Sequence, residues 1–378
     1  MTIFKTKTYK REEVALVEHI KHVIGQFVLN GEANKILPIV RGHINTTYRI
    51  IMNDGKQYTL QTINTNVFRK PDLLMDNIVA VTNHIQGKIK ENGGDVDREC
   101  LSVVLTKTGA SLYRDAIGQC WRMYGYIDNV KSYDQIEEPI QMYNAGVGFG
   151  RFQKMLAGFP MDSLHETIPN FHNTEMRMKA LFLAAEEDAV GRVAEVREEL
   201  SFFEERKEFA TTFVRMIERG ALPLRVTHND TKVNNILIDD VTNDALCVID
   251  LDTVMPGLAA YDFGDAIRYS ANTAAEDERD LSKVGLDMEL YEQFAHGFLS
   301  EVKADLTETE TRYLPHGATM MTLENAVRFL TDYLQGDVYF QIHRPKHNLE
   351  RARCQIALLK SMEQQFDAMC RIVDSYLI

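Results

Sequence analysis

One short polar segment carries the residues of this chain that are best suited to chemistry. His228, Asp230, Lys232 and Asn235 stand in the order His-x-Asp-x-Lys-x-x-Asn, and an apolar run ending at Asp250 follows. An enzyme that moves a phosphoryl group mainly positions the reactants and neutralises charge, while one carboxylate accepts the proton of the attacking hydroxyl. Asp230 suits that role, and Lys232 can reach the γ-phosphate as a point charge. The segment therefore predicts phosphoryl transfer to an alcohol, with Asp230 and Lys232 as catalytic residues.

The hairpin that follows this segment predicts a metal site. The runs NILID and ALCVID flank a polar turn. A symmetric turn would give three cross-strand pairs: Ile236 with Ile249, Ile238 with Cys247, and Asn235 with Asp250. Cross-strand partners have Cβ atoms about 5 Å apart, and an amide oxygen beside a carboxylate forms half of an octahedral site for a hard cation. We therefore predict Asn235 and Asp250 as ligands of Mg²⁺, with water and phosphate oxygens completing the shell.

Other polar residues near the segment have structural interpretations. Asp230 or Asn235 taken alone is a common turn or cap residue, so the prediction rests on the whole set. His228 is expected to hold the loop by hydrogen bonds, and Asp262 and Asp265 in YDFGDAIRY to cap a helix and tether the loop.

A glycine-rich run, AGVGFGRF, favours helix packing over a nucleotide-binding loop. Its glycines follow a helical stretch, and the third glycine of GxGxxG is missing.

The elements before the segment indicate a small mixed lobe. Residues 12–29 have the apolar period of a helix. Three short β runs follow, and Asn53-Asp54-Gly55 between the last two is a strong hairpin signal. A helix is predicted from Pro71 to about Lys90, and LSVVLTK and CWRMYGYI read as two more strands. We therefore predict a first lobe over residues 1–126 with a five-stranded antiparallel sheet, on the nucleotide-binding side.

The rest of the chain, residues 127–378, is predicted to be a mostly helical lobe. Amphipathic stretches are found at 138–157, 175–187, 193–218, 288–303, 319–340 and 346–376. The pattern predicts an α+β fold of two lobes, in which the second carries the catalytic loop, the metal site and the substrate side. A cleft between the lobes is the expected ligand site.

Composition narrows the class of protein. The net charge of -13 and the lack of a basic run argue against a nucleic-acid partner. The five cysteines have no CxxC spacing, which fits a reducing compartment. No signal peptide and no run of about 18 apolar residues is found, so we expect no membrane association and a cytoplasmic location. No sustained heptad pattern appears, which favours a monomer.

The segments HNDTKVNN and VIDLD resemble the aminoglycoside phosphotransferase and choline kinase superfamily, whose members are protein-kinase-like. Within it, GHINTTY, LRVTHNDTK, IDLDT, DFGD and DYL resemble the bacterial N-acetylhexosamine 1-kinases. This resemblance implies the bilobal protein-kinase-like fold. It also implies ATP- and Mg²⁺-dependent phosphorylation of the anomeric hydroxyl of N-acetylglucosamine or N-acetylgalactosamine, and it leaves the choice between these two open.

The resemblance also implies roles for particular residues. Asp230 becomes the base, and Asn235 and Asp250 the metal ligands, in agreement with the reasoning from residue types. Five residues are expected around the sugar or the phosphates: His43, Asn45, Tyr269, Arg328 and Tyr339. From the sequence alone, Arg328 fits an intramolecular ion pair equally well, and Tyr339 a core position.

The expected nucleotide contacts include one departure from the superfamily. We expect Thr46, Thr47, Gln61 and Tyr126 at the nucleotide, and Gln61 stands about where many related kinases carry a lysine. A neutral amide cannot supply that cation. Either Lys232, the metal or a more distant basic residue neutralises the phosphates, or ATP binding is weak.

Two other functions fit the same residues. One is a kinase of the same fold for another small alcohol, such as homoserine, choline or an aminoglycoside. The other is a nucleotide-binding pseudokinase, which the missing lysine motivates.

Overall fold

The structure is a computed structural model that describes residues 15–39 and 45–377. The chain divides into two compact units, Met1–Asn129 and Val130–Ile378. The predicted division after Tyr126 lies close to this point, and the roles given to residues 1–126 and 127–378 remain predictions.

A five-stranded antiparallel sheet forms the centre of the first unit, as predicted. Its strand order is β1-β2-β3-β5-β4. The strands are β1 (Ala33–Ile39), β2 (Thr47–Met52), β3 (Gln57–Ile63), β4 (Tyr113–Arg114) and β5 (Cys120–Gly125). The predicted hairpin joins β2 to β3, where Gly55 adopts a positive φ of 86° that an L side chain rarely takes.

The fifth strand of this sheet is not the predicted one. LSVVLTK, residues 101–107, makes only two isolated bridges, Val103 with Tyr124 and Thr106 with Phe27. β4 is formed instead by Tyr113–Arg114. The apolar run of 101–107 was recognisable, but its two bridges go to different partners, so no continuous ladder forms.

One face of the sheet is covered by a helix and forms the core of the first unit. Residues 15–24 are helical (α1), within the predicted stretch 12–29, of which 12–14 lie outside the described residues. This core contains Ile20, Val23, Ile24, Phe27, Ile50, Met52, Leu60, Trp121 and Met123. Side chains alternate along a strand, so Gln61 and Arg122 lie on the opposite face from Leu60 and Met123. The helix predicted from Pro71 is confirmed as α2 (Pro71–Glu91), and α3 (Val96–Glu99) follows.

The second unit is mostly helical, as predicted. Its helices are α4 (Pro139–Met155), α5 (Thr174–Glu187), α6 (Arg197–Glu204), α7 (Lys207–Ala210), α8 (Thr212–Glu218), α9 (Ala259–Ser270), α10 (Met288–Val302), α11 (Glu308–Leu334) and α12 (His347–Asp374). The stretch 193–218 is thus divided into short helices. α11 begins well before residue 319, because Thr307 and Glu310 cap its first turn reciprocally.

Two small antiparallel sheets interrupt these helices. β6 (Val130–Lys131), β8 (Ile236–Asp239) and β9 (Ala245–Val248) form one, in the order β6-β8-β9. β7 (Arg225–Thr227) pairs with β10 (Met255–Gly257) in the other. The polar segment from His228 to Asn235, called the catalytic segment after its predicted role, connects β7 to β8 and is therefore held by both sheets.

Glycines allow the helices of the second unit to pack closely. A Cβ atom on Gly150 of α4 would lie 2.7 Å from the Phe298 carbonyl oxygen of α10, which confirms the helix-packing interpretation of AGVGFGRF. Where α9 meets α11, a Cβ on Gly264 would collide with the Gly317 carbonyl, and one on Gly317 with the Ala260 carbonyl. Among the described residues, no helix is both long and apolar enough to span a membrane.

Candidate active site

The catalytic segment is anchored to α9 by a buried carboxylate. Asp262 accepts the backbone N–H groups of His228 at 2.9 Å and Asn229 at 2.7 Å, and the side-chain amide of Gln153 at 2.7 Å. Burial raises the pKa of Asp262, although these donors oppose the shift. The predicted tethering role of Asp262 is confirmed.

His228 is fully buried and fixes the segment from inside. Its Nδ1 lies 3.2 Å from the backbone N–H of Asp230, which donates, and its Nε2 lies 2.9 Å from the carbonyl oxygen of Ile249. One ring nitrogen thus accepts and the other donates, so the ring is the neutral Nε2–H tautomer. His228 therefore supports the segment, as predicted, and ties it to the end of β9.

Asp230 and Lys232 form an ion pair at the partly exposed surface of the segment. Lys232 Nζ lies 2.9 Å from Asp230 Oδ1, and the side chains are 34% and 28% exposed. Burial raises the pKa of the Asp230 carboxyl, but the charge and hydrogen bond of Lys232 outweigh burial, and the pKa lies below its usual value. Burial likewise lowers the pKa of Lys232, and Asp230 with Asp265 more than reverses this. Both groups are therefore charged at neutral pH.

Asn235 is hydrogen-bonded to the same aspartate. Its Nδ2 donates to the Asp230 carbonyl oxygen at 2.9 Å and to Asp230 Oδ2 at 3.3 Å. Its Oδ1 accepts no hydrogen bond from the part of the chain that the structure describes. An amide oriented in this way keeps a carbonyl oxygen for a hard cation.

The predicted pairing of Asn235 with Asp250 is wrong by one position. Ile236 pairs with Val248, and the N–H of Ile249 donates to the Asn235 carbonyl at 2.9 Å. Next to the turn, Ile238 pairs with Ala245, two positions from the predicted register, and the bulge between Leu237 and Ile238 restores one of the two. Asp239 closes that turn by accepting the N–H groups of residues 241 and 242.

Asp250 therefore lies just beyond the ladder. Its backbone is left-handed, with φ 59°, and its side chain is exposed. The two predicted ligands, Asn235 and Asp250, still lie near one another, because Ile249, which precedes Asp250, donates its N–H to the carbonyl of Asn235. Among residues 15–39 and 45–377, no group of three or more His, Cys, Asp and Glu side chains could hold a metal ion. One carboxylate with one amide suits Mg²⁺, which usually takes one or two carboxylates together with phosphate oxygens and water.

The predicted substrate residues of the second unit lie at two places. The ring of Tyr269 is centred 5.9 Å from Lys232 Nζ, beside the ion pair of Lys232 with Asp230. On α11, the guanidinium of Arg328 lies 5.4 Å from the ring centroid of Phe340 and 6.0 Å from that of Tyr339. Tyr339 is 58% exposed, which excludes a core position. Arg328 forms no ion pair within the described residues, so the alternative of an intramolecular ion pair is not supported either.

Three predicted nucleotide residues, Thr46, Thr47 and Gln61, and the predicted substrate residue Asn45 lie in one polar region of the first unit. Asn45 Oδ1 accepts the N–H of Asn64, and the N–H of Thr46 donates to Thr62 Oγ1, both at 3.0 Å. Thr47 Oγ1 accepts from Gln61 Nε2 at 3.0 Å.

The two remaining predicted residues lie apart from this polar region or beyond the described chain. Tyr126 lies elsewhere in the same unit, its ring 4.3 Å from the guanidinium of Arg49. His43 falls outside the described residues.

Arg122 lies in this polar region and was not predicted. It lies opposite Gln61 in the ladder between β3 and β5, and its Nε donates to Gln61 Oε1 at 3.1 Å. Only 1% of Arg122 is exposed, which is rare for a cation. The alternation of CWRMYGYI places Arg122 opposite Trp121 and Met123 and is the signal that could have found it.

Comparison with known proteins identifies the fold. The model of the phosphotransferase enzyme family matches residues 35–301. An aminoglycoside phosphotransferase from Alicyclobacillus acidocaldarius is similar in structure, with a TM-score of 0.60, 13% identity, and coverage of 92% of this chain and 96% of that chain. An amicoumacin kinase in complex with AMP-PNP and Ca²⁺ is similar with a TM-score of 0.58, 11% identity, and coverage of 97% and 96%. Plasmodium vivax ethanolamine kinase has a TM-score of 0.53, 16% identity, and coverage of 85% and 82%.

Identities this low show the fold alone. The likeness confirms the predicted α+β fold of the kinase-like phosphotransferases.

Proposed function

This chain belongs to the phosphotransferase enzyme family, and from that premise we propose that it is an ATP- and Mg²⁺-dependent kinase for the anomeric hydroxyl of N-acetylhexosamines. The products are the N-acetylhexosamine 1-phosphate and ADP. The observation that carries the proposal is the arrangement of one charged loop, in which ionised Asp230 contacts both Lys232 and Asn235.

Asp230 acts as the base of the proposed reaction. The hydroxyl oxygen of the acceptor forms a bond to the γ-phosphorus, the bond from that phosphorus to the bridging oxygen of ADP breaks, and Asp230 takes the hydroxyl proton. Its lowered pKa keeps the carboxylate ionised at neutral pH and thus able to orient the hydroxyl. Lys232 stabilises that carboxylate and brings a positive charge beside the transferred group.

Asn235 Oδ1 and the Asp250 carboxylate would hold the metal ion. When bound, Mg²⁺ neutralises charge on the phosphates. The orientation of Asn235, whose Nδ2 is bonded to Asp230, supports this assignment because the carbonyl oxygen is left for a ligand. The complex of AMP-PNP and Ca²⁺ with the amicoumacin kinase supports the use of a nucleotide with a divalent cation.

Arg122 is the basic residue that we assign to the phosphates in place of the missing lysine. It lies beside Gln61 on the same sheet face, and Gln61 connects it to Thr47. Phosphate oxygens would be suitable partners, since the planar fork of arginine matches them.

The proposed acceptor side of the second unit, formed by Arg328 and Tyr339, favours a neutral alcohol. Arg177 donates to the Phe171 carbonyl oxygen at 3.1 Å, and the guanidinium of Arg328 lies 5.6 Å from the centroid of the Phe171 ring, so both cations lie beside one residue. Burial, together with the charge of Arg328, lowers the pKa of Arg177. Such a pair repels a cationic acceptor such as choline, ethanolamine or an aminoglycoside. A sugar with an acetamide is neutral, and its hydroxyls and apolar face suit Arg328 and the exposed ring of Tyr339.

Phosphorus NMR of the product tests the proposal directly. The protein is incubated with ATP, Mg²⁺ and either N-acetylglucosamine or N-acetylgalactosamine, and homoserine, choline, ethanolamine and an aminoglycoside are assayed in parallel. A sugar 1-phosphate supports the proposal, and a 6-phosphate overturns the assigned position. Turnover of the non-sugar alcohols alone would assign a related kinase, and ATP binding without turnover of any acceptor would indicate a pseudokinase.

A further inference from the structure

A buried ion pair lies directly behind the catalytic segment. His172 Nδ1 is 2.9 Å from Glu324 Oε1 of α11, and the two side chains are 6% and 0% exposed. Thr174 Oγ1 donates to the other carboxylate oxygen, Glu324 Oε2, at 2.9 Å. The second ring nitrogen, His172 Nε2, lies 3.0 Å from the carbonyl oxygen of Asn229. None of these residues belongs to the predicted site.

Both ring nitrogens of His172 face groups that accept hydrogen bonds. A carboxylate and a backbone carbonyl have no proton to give, so each ring nitrogen must carry one. Burial raises the pKa of Glu324, but the charge and hydrogen bond of His172 outweigh burial and hold the pKa below its usual value. With Glu324 ionised, both ring nitrogens of His172 donate, and each member of the pair has a hydrogen bond beyond it.

The peptide that His172 contacts is the one that leads into Asp230. Its carbonyl, from Asn229, accepts from His172, and its N–H, from Asp230, donates to His228 Nδ1 at 3.2 Å. Asn229 is left-handed, with φ 65°, a conformation that is uncommon outside glycine and that asparagine adopts more readily than most residues. Rotation of this peptide plane would swing the Asp230 carboxylate, and the two histidines hold the plane from opposite ends.

The same pair connects the peptide to the acceptor side. Glu324 lies one turn before Arg328 on α11, so His172 bridges that helix and the catalytic segment. We infer that His172, as an imidazolium paired with Glu324, is a positioning residue that fixes the Asn229–Asp230 peptide and couples the position of the base to α11. This inference rests on the proposed kinase function for its effect on rate, and on hydrogen-bond geometry for the protonation state.

Groups from several helices face the pair. The ring of Tyr261 on α9 is centred 5.0 Å from that of His172, and the ring of Phe171 is 4.4 Å away. The charges of Arg328 and Arg177 also act on Glu324. Two neighbouring cations and a hydrogen-bonding threonine favour the ionised carboxylate.

Kinetics of matched variants separate positioning from folding. In Glu324→Gln, the amide can donate to Nδ1 of a neutral His172, whose Nε2–H still reaches the Asn229 carbonyl, so activity is expected to stay within a few-fold. His172→Gln loses the bridge, and kcat is expected to fall by about 10²-fold while KM for ATP is unchanged, because small displacements of a catalytic group have effects of this size.

In His172→Gln, the buried carboxylate of Glu324 loses its charged partner. The double variant His172→Gln with Glu324→Gln removes that carboxylate charge. It is expected to regain thermal stability but to remain slow, which a merely structural role would not produce. His316→Gln on the same helix is the control for loss of a partly buried histidine, and it is expected to leave kcat unchanged. Full activity of a folded double variant would overturn the positioning role.

Nitrogen-15 NMR of the imidazoles tests the protonation state without turnover. The His172 signals, identified by their absence from His172→Gln, are expected to show two protonated ring nitrogens at pH 7.5 in the wild type and one in Glu324→Gln. A single protonated nitrogen in the wild type would overturn the charged pair.

Rates are measured with whichever alcohol the wild type uses. Failure of the sugar assay therefore overturns the proposed function, whereas the NMR result and the variants decide the inference about His172.

Discussion

The side-chain amide of Asn235 donates to the backbone carbonyl of Asp230 at 2.9 Å. This bond fixes the orientation of the amide, so that its nitrogen faces the proposed base and its oxygen is left for the metal. A proposed metal ligand and the proposed base thus form one unit within a single loop, and displacement of either residue would move the other.

Replacement of the base gives the first prediction. In Asp230→Asn, kcat is expected to fall by about 10²–10⁴-fold, the usual contribution of a positioned base. ATP affinity is expected to stay close to that of the wild type, because Asp230 acts on the acceptor hydroxyl. Steady-state kinetics with nucleotide titration calorimetry measure both, and Asp244→Asn in the exposed turn of the adjacent hairpin is the control. Unchanged kcat in Asp230→Asn would contradict the enzyme assignment.

The ion pair with Lys232 predicts a shift in pH dependence. A carboxylate base works above its pKa and fails as pH falls through it, and Lys232 holds the Asp230 pKa below its usual value against burial. In Lys232→Met, burial is no longer opposed by this cation, so the acid limb of kcat/KM is expected to move to higher pH. Lys232→Arg keeps the charge and should leave the limb close to its wild-type position. An identical acid limb in Lys232→Met would show that another group controls it.

The loop that carries the proposed catalytic residues could be located from the sequence because those residues are contiguous. His228, Asp230, Lys232 and Asn235 lie in one segment, and their identities and spacing are visible without knowledge of any strand pairing. The anchor Asp262 was also recognisable, as an acidic residue near the start of a helix that follows the loop.

Features that depend on register between separate strands were not predictable in the same way. The pairing of Asn235 with Asp250 failed because the turn of the β8–β9 hairpin lies earlier in the chain than the predicted symmetric turn, and a bulge restores only one of the two positions lost. Arg122 was not predicted because its contact with Gln61 forms across two strands that are distant in the sequence. His172 likewise gains its partner, Glu324, only through helix packing.

Arg122 carries the third prediction. Arg122→Met is expected to weaken binding of ATP with Mg²⁺, since the proposal gives Arg122 the role of the missing lysine, whereas Arg122→Lys keeps the charge and should retain more affinity. Calorimetry with a non-hydrolysable ATP analogue measures the effect, and thermal unfolding checks that the variants fold. Arg114→Met, which removes an exposed ion pair with Asp72 on the edge strand, is the control. Equal affinity in Arg122→Met and the wild type would reject the assignment.

The close approach of α9 and α11 predicts a loss of stability in a glycine variant. These helices carry the anchor Asp262 and Glu324, the partner of His172, and at Gly317 an added methyl group would collide with the Ala260 carbonyl, which belongs to the backbone and cannot rotate away. Gly317→Ala is therefore expected to lower the free energy of unfolding by about 1–3 kcal/mol, the usual cost of overpacking. Gly87→Ala inside α2, where a Cβ meets nothing within 4 Å, should instead stabilise its helix by about 0.4–1 kcal/mol, since alanine restricts the unfolded chain. Urea unfolding of both variants measures the two changes, and a Gly317→Ala protein as stable as the wild type would show that the two helices separate without cost.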